Sequence, residues 1–219
     1  MTRVLQAGRR APASGKTGSA VVFLHGYGAD GADLLGLAEP LAQHLPDTLF
    51  VAPDAPEPCA GNPFGRQWFP IPRLDGSSEA ESEAGLSGSA NDLQAFLDAL
   101  LEETAINPSK VALVGFSQGS MMALHVAPRR AEALAGVVAF SGRLLRPERL
   151  AAEARVKPPV LLIHGDADPM VDFAEMGRAG DALVSAGFDT YAHVMRGTGH
   201  GIAPDGLSVA LAFLRERLR

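Results

Sequence analysis

The chain of 219 residues has a single cysteine and no long apolar run. Because Cys59 is alone, no disulfide can form within the chain, so a reducing compartment is permitted. No run approaches the roughly 18 apolar residues of a membrane span, and we expect no integral membrane association. The N-terminal region also lacks the apolar stretch of a signal peptide. These absences predict a soluble, cytoplasmic protein.

Positive charge is scarce as well. The chain has 19 Lys and Arg against 25 Asp and Glu, which gives a net charge of −6. Nucleic acids and anionic membranes require a basic surface, so neither is expected as a partner. The length suits one domain that buries roughly 70% of its unfolded surface. We therefore predict a single domain over residues 1–219, with a homodimer as an open alternative.

Short apolar runs alternate with longer amphipathic segments along the chain. The runs show no polar alternation, which is typical of strands buried on both faces of a parallel sheet. This pattern predicts an α/β fold with a mostly parallel sheet and helices on both faces. The predicted strands are Ala20–His25, Thr48–Ala52, Val111–Phe116, Leu134–Phe140, Val160–His164 and Thr190–Met195, and the predicted helices are Asp33–Leu45, Ser89–Thr104, Gln118–Ala127, Asp172–Ala186 and Gly206–Leu218.

Residues 53–88 break this alternation. The segment is rich in proline and holds the only tryptophan. A loop of this length in a compact domain is usually functional or partly disordered. Trp68 and Phe69 have two interpretations of equal weight: a wall of a substrate pocket, or an apolar anchor that pins the loop to the core.

Ser117 is the candidate nucleophile. It lies in Gly115-Phe116-Ser117-Gln118-Gly119, between a predicted strand and a predicted helix. This spacing is typical of a nucleophile elbow, a turn so sharp that only glycine leaves room on either side of the serine. The pattern predicts a Ser117 Oγ that is exposed at the tip of the turn.

A serine hydroxyl needs a base that takes its proton and an acid that orients the base. In α/β-hydrolases the chain order is serine, acid, histidine. Of the six histidines, only His200 follows the last predicted strand, between two glycines, so we predict that it is the base. Three aspartates compete for the acid. Asp168 is favoured because it lies at the loop apex before a proline, whereas Asp166 could brace the turn and Asp172 could cap the next helix.

The segment His25-Gly26-Tyr27-Gly28 follows the first buried strand. An oxyanion hole pairs an N–H group from this position with the N–H group after the nucleophile. We therefore predict that Tyr27 and Gln118 act through their backbone N–H groups.

Four motifs in this order, His-Gly-Tyr-Gly, Gly-Phe-Ser-Gln-Gly, His-Gly-Asp-Ala-Asp-Pro and Gly-His-Gly, resemble the phospholipase/carboxylesterase family of α/β-hydrolases, relatives of the acyl-protein thioesterases. The resemblance spans about residues 21–214. It implies an α/β-hydrolase fold without a large cap domain and with the 53–88 loop near the active site. Its site implications are a triad of Ser117, Asp168 and His200, oxyanion donors Tyr27 and Gln118, and a substrate pocket near Trp68, Phe69, Met170 and Val171.

Two positions depart from the family pattern. Tyr27 stands where a leucine is common, which affects the shape of the pocket but not the N–H group. Asp172 stands where a proline usually follows the valine, which keeps Asp172 as a rival acid.

The predicted activity is hydrolysis of carboxylic esters through an acyl-enzyme, without a metal or an organic cofactor. The substrate is a small-molecule or lipid ester. A lysophospholipase and an acyl-protein thioesterase are alternatives with the same triad. A rival of another class is a dinucleotide-binding protein, because residues 26–31 match G-x-G-x-x-G and Asp54 follows 23 residues after Gly31. This rival leaves Ser117 and His200 without a role.

Overall fold

A computed structural model describes residues 2–219, and seven of their nine strands form one sheet. The strands are β1 (Ala7–Arg10), β2 (Ser19–Leu24), β3 (Thr48–Pro53), β4 (Glu57–Cys59), β5 (Asn62–Gln67), β6 (Val111–Phe116), β7 (Gly136–Phe140), β8 (Val160–Gly165) and β9 (Thr190–Met195). The helices are α1 (Gly31–Leu35), α2 (Ala38–Ala42), α3 (Pro72–Asp75), α4 (Glu79–Thr104), α5 (Gln118–Val126), α6 (Pro147–Glu153), α7 (Ala174–Ser185) and α8 (Pro204–Arg217).

The sheet order is β1-β3-β2-β6-β7-β8-β9, and every pair is parallel except β1 with β3. Strands β2, β3, β7 and β8 are buried along their whole length, and β6 is buried except at Phe116, which explains why these sequences show no polar alternation. In such a sheet the loops at the carboxyl ends of the strands meet at one edge. The four loops with the candidate motifs follow β2, β6, β8 and β9 and therefore share that edge.

Helices cover both faces of the sheet. Leu93 of α4, Met122 of α5 and Leu183 of α7 pack in one apolar cluster with one face of the strands. Leu41 of α2 and Phe213 of α8 pack in a second cluster on the opposite face. These two layers confirm the predicted α/β class with helices on both sides of a mostly parallel sheet.

The six predicted strands are all present, but other predictions need correction. Two elements were not predicted: β1, an antiparallel edge strand that is only partly buried, and α6. The single helix predicted over Asp33–Leu45 is two short helices, α1 and α2, separated by a turn at 36–37.

The segment 53–88 is more ordered than predicted. It contains the hairpin of β4 and β5 and the short helix α3. Helix α4 begins at Glu79, ten residues before the predicted start at Ser89. A capping box explains this start: Ser78 Oγ accepts the N–H of Glu81, and Glu81 Oε2 accepts the N–H of Ser78.

Within residues 2–219, no large cap domain interrupts the sheet, as predicted. No helix in the same range is both long and apolar enough to cross a membrane.

Candidate active site

Ser117 sits at the turn between β6 and α5 with a strained backbone, at φ 52° and ψ −115°. Only a tightly constrained site holds a non-glycine residue in this conformation. A Cβ placed on Gly115 would lie 2.5 Å from backbone atoms of Gly119, and one on Gly119 would lie 1.8 Å from the carbonyl oxygen of Leu24. Both glycines are therefore required by close approach of backbone, as the elbow pattern predicts.

The loops after β8 and β9 bring Asp168 and His200 together. The distance from His200 Nδ1 to Asp168 Oδ2 is 2.7 Å. The Asp168 side chain is fully buried, whereas that of His200 is 19% exposed. Because Nδ1 is engaged by the carboxylate, Nε2 is the ring nitrogen left for proton transfer.

The other two aspartates have different partners. Asp166 Oδ1 accepts the N–H of Gly197 at 2.6 Å and so links the two loops. Asp172 Oδ1 accepts the N–H of Ala174 at the start of α7. Of the three candidates, the structure places only Asp168 against His200.

The Asp168 carboxylate is held in its ionised form. Burial alone would raise the pKa of Asp168, but the hydrogen bonds from His200 and from the N–H groups of Val171 and Met170 outweigh it and lower that pKa below its usual value. His164 Nε2 also lies 3.3 Å from Asp168 Oδ2. The sequence analysis did not assign His164 a role, because only the fold brings it beside the carboxylate.

Ser117 and His200 line the same cavity, which has a volume of about 430 Å³. The ring of Phe116 packs against that of His200 with centroids 4.9 Å apart. Within residues 2–219, Ser117 Oγ makes no hydrogen bond to His200 or to another side chain, and Ser117 lines the cavity. Hydrogen bonds between a catalytic serine and its base are often formed only once substrate binds.

The two candidate oxyanion donors flank Ser117. A Cβ placed on Gly26 would lie 3.4 Å from Ser117 Cβ, so the loop after β2 lies directly against the elbow. The N–H groups of Tyr27 and Gln118 have no hydrogen-bond partner within residues 2–219. Burial, together with the nearby Cys59, raises the pKa of Tyr27 to about 12, so its phenol stays neutral at ordinary pH.

Most of the cavity wall is apolar. Met170 and Val171, two of the four residues of the predicted substrate pocket, line the cavity, and Met170 is half exposed at its rim. The other apolar side chains come from α1, the 71–74 segment, α5 and the loop after β9: Leu34, Ile71, Leu74, Met121 and Ile202.

Trp68 and Phe69 do not line this cavity, which corrects one of the two interpretations of the pair. Trp68 is fully buried, and its Nε1 donates to the carbonyl oxygen of His25 at 2.9 Å. Ser89 Oγ donates to the carbonyl oxygen of Trp68. Phe69 is also buried and borders two neighbouring clefts. The pair thus anchors the long loop to the core.

The side chain of Gln118 has a role that the sequence analysis missed. It is fully buried, and its Oε1 accepts the N–H of Trp68 at 2.8 Å while its Nε2 donates to the carbonyl oxygen of Phe69 at 2.7 Å. The partners are about fifty residues away in sequence, so no local pattern could indicate them. Gln118 therefore ties the nucleophile turn to the long loop.

In the G-x-G-x-x-G segment, Gly31 has a structural role within the loop and its packing. Asp54 Oδ1, the candidate for a ribose, accepts the N–H of Gly31 at 2.9 Å. A Cβ on Gly31 would lie 2.4 Å from the carbonyl oxygen of Ala52, so this glycine is needed for helix–strand packing. Within residues 2–219, no three or more His, Cys, Asp or Glu side chains lie together in a way that could hold a metal ion.

The sequence matches a known family over nearly its whole length. The family model described as phospholipase/carboxylesterase covers residues 11–218. Esterase YpfH of Escherichia coli (strain K12) is 30% identical over 195 residues, which are 89% of this chain and 81% of that protein. Acyl-protein thioesterase 1 of Neurospora crassa is 31% identical over an alignment of 225 positions, which covers 94% of this chain and 90% of that protein.

Solved structures agree. The crystal structure of esterase PE8 has a TM-score of 0.93 and 46% identity, and covers 99% of this chain and all of that one. Arabidopsis thaliana SOBER1 has a TM-score of 0.81 over 92% of this chain and 99% of that one, at 24% identity, and shows the fold alone.

Proposed function

Because the chain belongs to the phospholipase/carboxylesterase family and is a carboxylic ester hydrolase, we propose that it is a serine carboxylesterase in which Ser117 is the nucleophile. His200 is the general base and Asp168 the orienting acid. The observation that carries this proposal is the 2.7 Å hydrogen bond between His200 Nδ1 and Asp168 Oδ2 beside the cavity that Ser117 lines.

The acylation step follows from these positions. Ser117 Oγ attacks the carbonyl carbon of the ester while His200 Nε2 takes the hydroxyl proton. The negative charge that develops on the carbonyl oxygen is stabilised by the N–H groups of Tyr27 and Gln118. Collapse of the tetrahedral intermediate breaks the ester C–O bond, and His200 delivers its proton to the leaving alcohol.

Deacylation uses the same groups in reverse. His200 takes a proton from water, the resulting hydroxide attacks the acyl carbonyl, and the proton returns to Ser117 Oγ as the acid leaves. Asp168 remains ionised throughout and stabilises the imidazolium form of His200 in both steps. The lowered pKa of Asp168 supports this role, because a protonated acid could not balance the imidazolium charge.

The apolar cavity wall favours, as the substrate, an ester with an apolar acyl or alcohol group. A thioester is a second candidate substrate, because several relatives at 28–31% identity are named acyl-protein thioesterase 1 or its homologue. The same triad would cleave either bond, as it would that of a lysophospholipid. The rates of hydrolysis over a matched chain-length series of esters and thioesters would distinguish these substrates.

The assignment of the nucleophile is tested by Ser117→Ala, with Ser120→Ala as the matched control. Ser120 is also buried near the elbow, but its Oγ donates to the carbonyl oxygens of Gly115 and Phe140 and it does not line the cavity. We expect Ser117→Ala to lower kcat by about 10⁴ to 10⁶ with an unchanged melting temperature. Ser120→Ala should lower stability but leave kcat within about tenfold. A Ser117→Ala protein that keeps a tenth of the wild-type turnover would overturn the proposal.

A further inference from the structure

His25, which the serine–acid–histidine order leaves without a catalytic part, is fully buried with both ring nitrogens engaged. Nε2 lies 2.9 Å from the backbone nitrogen of Ala55, and Nδ1 lies 2.8 Å from the carbonyl oxygen of Gly26. The N–H of Ala55 can only donate, so Nε2 must be the unprotonated acceptor. Nδ1 then carries the ring proton and donates it to Gly26.

The neutral form of the ring fits its surroundings. Burial lowers the pKa of His25 and outweighs the opposite effects of the Gly26 carbonyl and of the Asp54, Asp30 and Asp33 carboxylates. The indole of Trp68 packs beside the ring at a centroid distance of 5.6 Å and binds the backbone oxygen of His25. The tautomer and the orientation of the ring are therefore both fixed.

The bond to Gly26 matters because of the peptide unit that accepts it. The carbonyl oxygen of Gly26 and the N–H of Tyr27 belong to one planar trans peptide, so they point in opposite directions. A donor that holds the oxygen on one side also holds the N–H on the other side. Gly26 and Gly28 flank this region without side chains, and Gly28 has φ +80°, while the N–H of the following peptide, that of Gly28, donates to the carbonyl oxygen of Arg66 at 2.8 Å.

Only one other hydrogen bond within residues 2–219 is made to the carbonyl oxygen of Gly26. The N–H of Ala29 lies 3.3 Å from it, a longer contact than that of the His25 ring. The N–H of Tyr27 itself has no partner in the described chain, and Tyr27 lines the same cavity as Ser117. The His25 ring is thus the principal group that sets the direction of this N–H.

We infer that His25 is a positioning residue for catalysis: its Nδ1–H holds the Gly26–Tyr27 peptide so that the Tyr27 N–H is aimed at the oxyanion. This inference rests on the proposed function, since it assumes the Ser117 mechanism. His25 does not touch the reacting atoms, and it acts only through Tyr27. The stabilisation of the transition state therefore depends on a buried side chain in the early loop as well as on the elbow.

Two amide substitutions distinguish the two hydrogen bonds of the His25 ring, because each keeps one bond and removes the other. In His25→Asn the side-chain NH₂ can take the place of Nδ1 and donate to Gly26, while the N–H of Ala55 loses its acceptor. In His25→Gln the amide oxygen can take the place of Nε2 and accept from Ala55, while Gly26 loses its donor. Each variant loses one buried hydrogen bond, so we expect similar falls in melting temperature.

Their catalytic effects should differ. We expect His25→Gln to lower kcat by about 10- to 100-fold with KM within about twofold, because one oxyanion donor is misdirected. His25→Asn should keep kcat within about threefold of the wild type. His125→Gln is the matched control: His125 is a largely buried histidine of α5 whose Nδ1 has no partner among the described residues and which does not line the cavity. It should leave kcat unchanged.

A second readout does not depend on how much enzyme is folded. The ratio of kcat/KM for an ester to that for the matching thionoester reports donation to the carbonyl oxygen, since sulfur accepts hydrogen bonds weakly. We expect this ratio to fall at least about fivefold in His25→Gln and to stay at the wild-type value in His25→Asn.

Equal ratios in both variants and the wild type, or equal losses of kcat that follow the melting temperature, would overturn the role of His25 and leave Ser117 as the nucleophile. Activity that survives in Ser117→Ala would instead refute the proposed function.

Discussion

The two loops that flank the cavity hold their candidate oxyanion N–H groups by different means. After β6, the N–H of Gln118 is set by a turn that depends on two missing side chains, at Gly115 and Gly119. After β2, the N–H of Tyr27 is set by a side chain that is present, the His25 ring. A turn that needs empty space tolerates no added atom, whereas a bond to a carbonyl can be supplied by another donor. The two loops should therefore respond differently to substitution.

The largest effect is expected where the turn has no room. In Gly119→Ala the new Cβ would meet the carbonyl oxygen of Leu24 at 1.8 Å, so either the strand or the turn must move. We expect kcat to fall by more than about 10⁴ or the protein not to fold. Gly201→Ala, beside His200, is the control, because a Cβ there meets nothing within 4 Å. Wild-type kcat and melting temperature in Gly119→Ala would contradict the steric account.

The next largest effect is expected in a third loop, the one after β8, where three aspartates have different hydrogen-bond partners. We expect Asp168→Asn to lower kcat by about 10⁴, because an amide would hold His200 in the wrong tautomer. Asp166→Asn and Asp172→Asn should each cost less than about tenfold, because neither carboxylate contacts His200: Asp166 binds the N–H of Gly197 and the Arg196 side chain, and Asp172 binds the N–H of Ala174. Steady-state kinetics of the three variants is the measurement. A larger loss in Asp172→Asn would reassign the acid.

A smaller effect tests the N–H of Gln118, the candidate oxyanion donor in the turn after Ser117. Gln118→Pro removes the N–H at the first helical position, where proline is otherwise tolerated, and should lower kcat by about 10² to 10³. Gln118→Ala keeps the N–H but loses the two bonds to Trp68 and Phe69. We expect it to lower the free energy of unfolding by about 1–3 kcal/mol and kcat by less than about tenfold. If alanine lowers kcat as much as proline, the side chain and not the N–H is the catalytic element.

The smallest effect concerns stability and His125. Burial lowers the pKa of His125 to about 4, and the charge of Arg129 adds to this effect. In the unfolded chain His125 takes up its proton near pH 6.5, whereas in the folded protein it does so only near pH 4. The contribution of neutral His125 to the free energy of unfolding is therefore complete above pH 6.5 and is lost as the pH falls toward about 4. We expect His125 to account for up to about 3 kcal/mol of this loss. Urea unfolding of wild type and His125→Asn at pH 7 and pH 5 measures it, and parallel losses in both proteins would refute the assignment.

The sequence predicted those parts of the site that depend on local order along the chain. Ser117 and Asp168 follow buried strands and His200 follows the edge strand β9, and parallel strands bring the loops that follow them to one edge of the sheet. The elbow could be recognised because its glycines lie two residues from the serine. The fold class followed from the same alternation of buried strands and amphipathic helices.

The parts that were missed depend on contacts between distant residues. The Gln118–Trp68 bond joins residues 50 apart, and the His25–Ala55 bond joins residues 30 apart. A single sequence carries no periodic signal for such pairs. The start of α4 was predicted wrongly for a different reason. The Ser78–Glu81 capping box is a local pattern, but the proline-rich surroundings obscured it.

The most direct test of the account is to find which side chain acts as the nucleophile toward a reagent for activated serines. Wild-type protein treated with a fluorophosphonate, which reacts with activated serines, should gain one adduct by intact mass, and peptide mapping should place it on Ser117. Asp168→Asn should gain the same adduct far more slowly, and Ser117→Ala should gain none. An adduct on another residue, or labelling of Ser117→Ala at the wild-type rate, would contradict the central claim that Ser117 is the nucleophile.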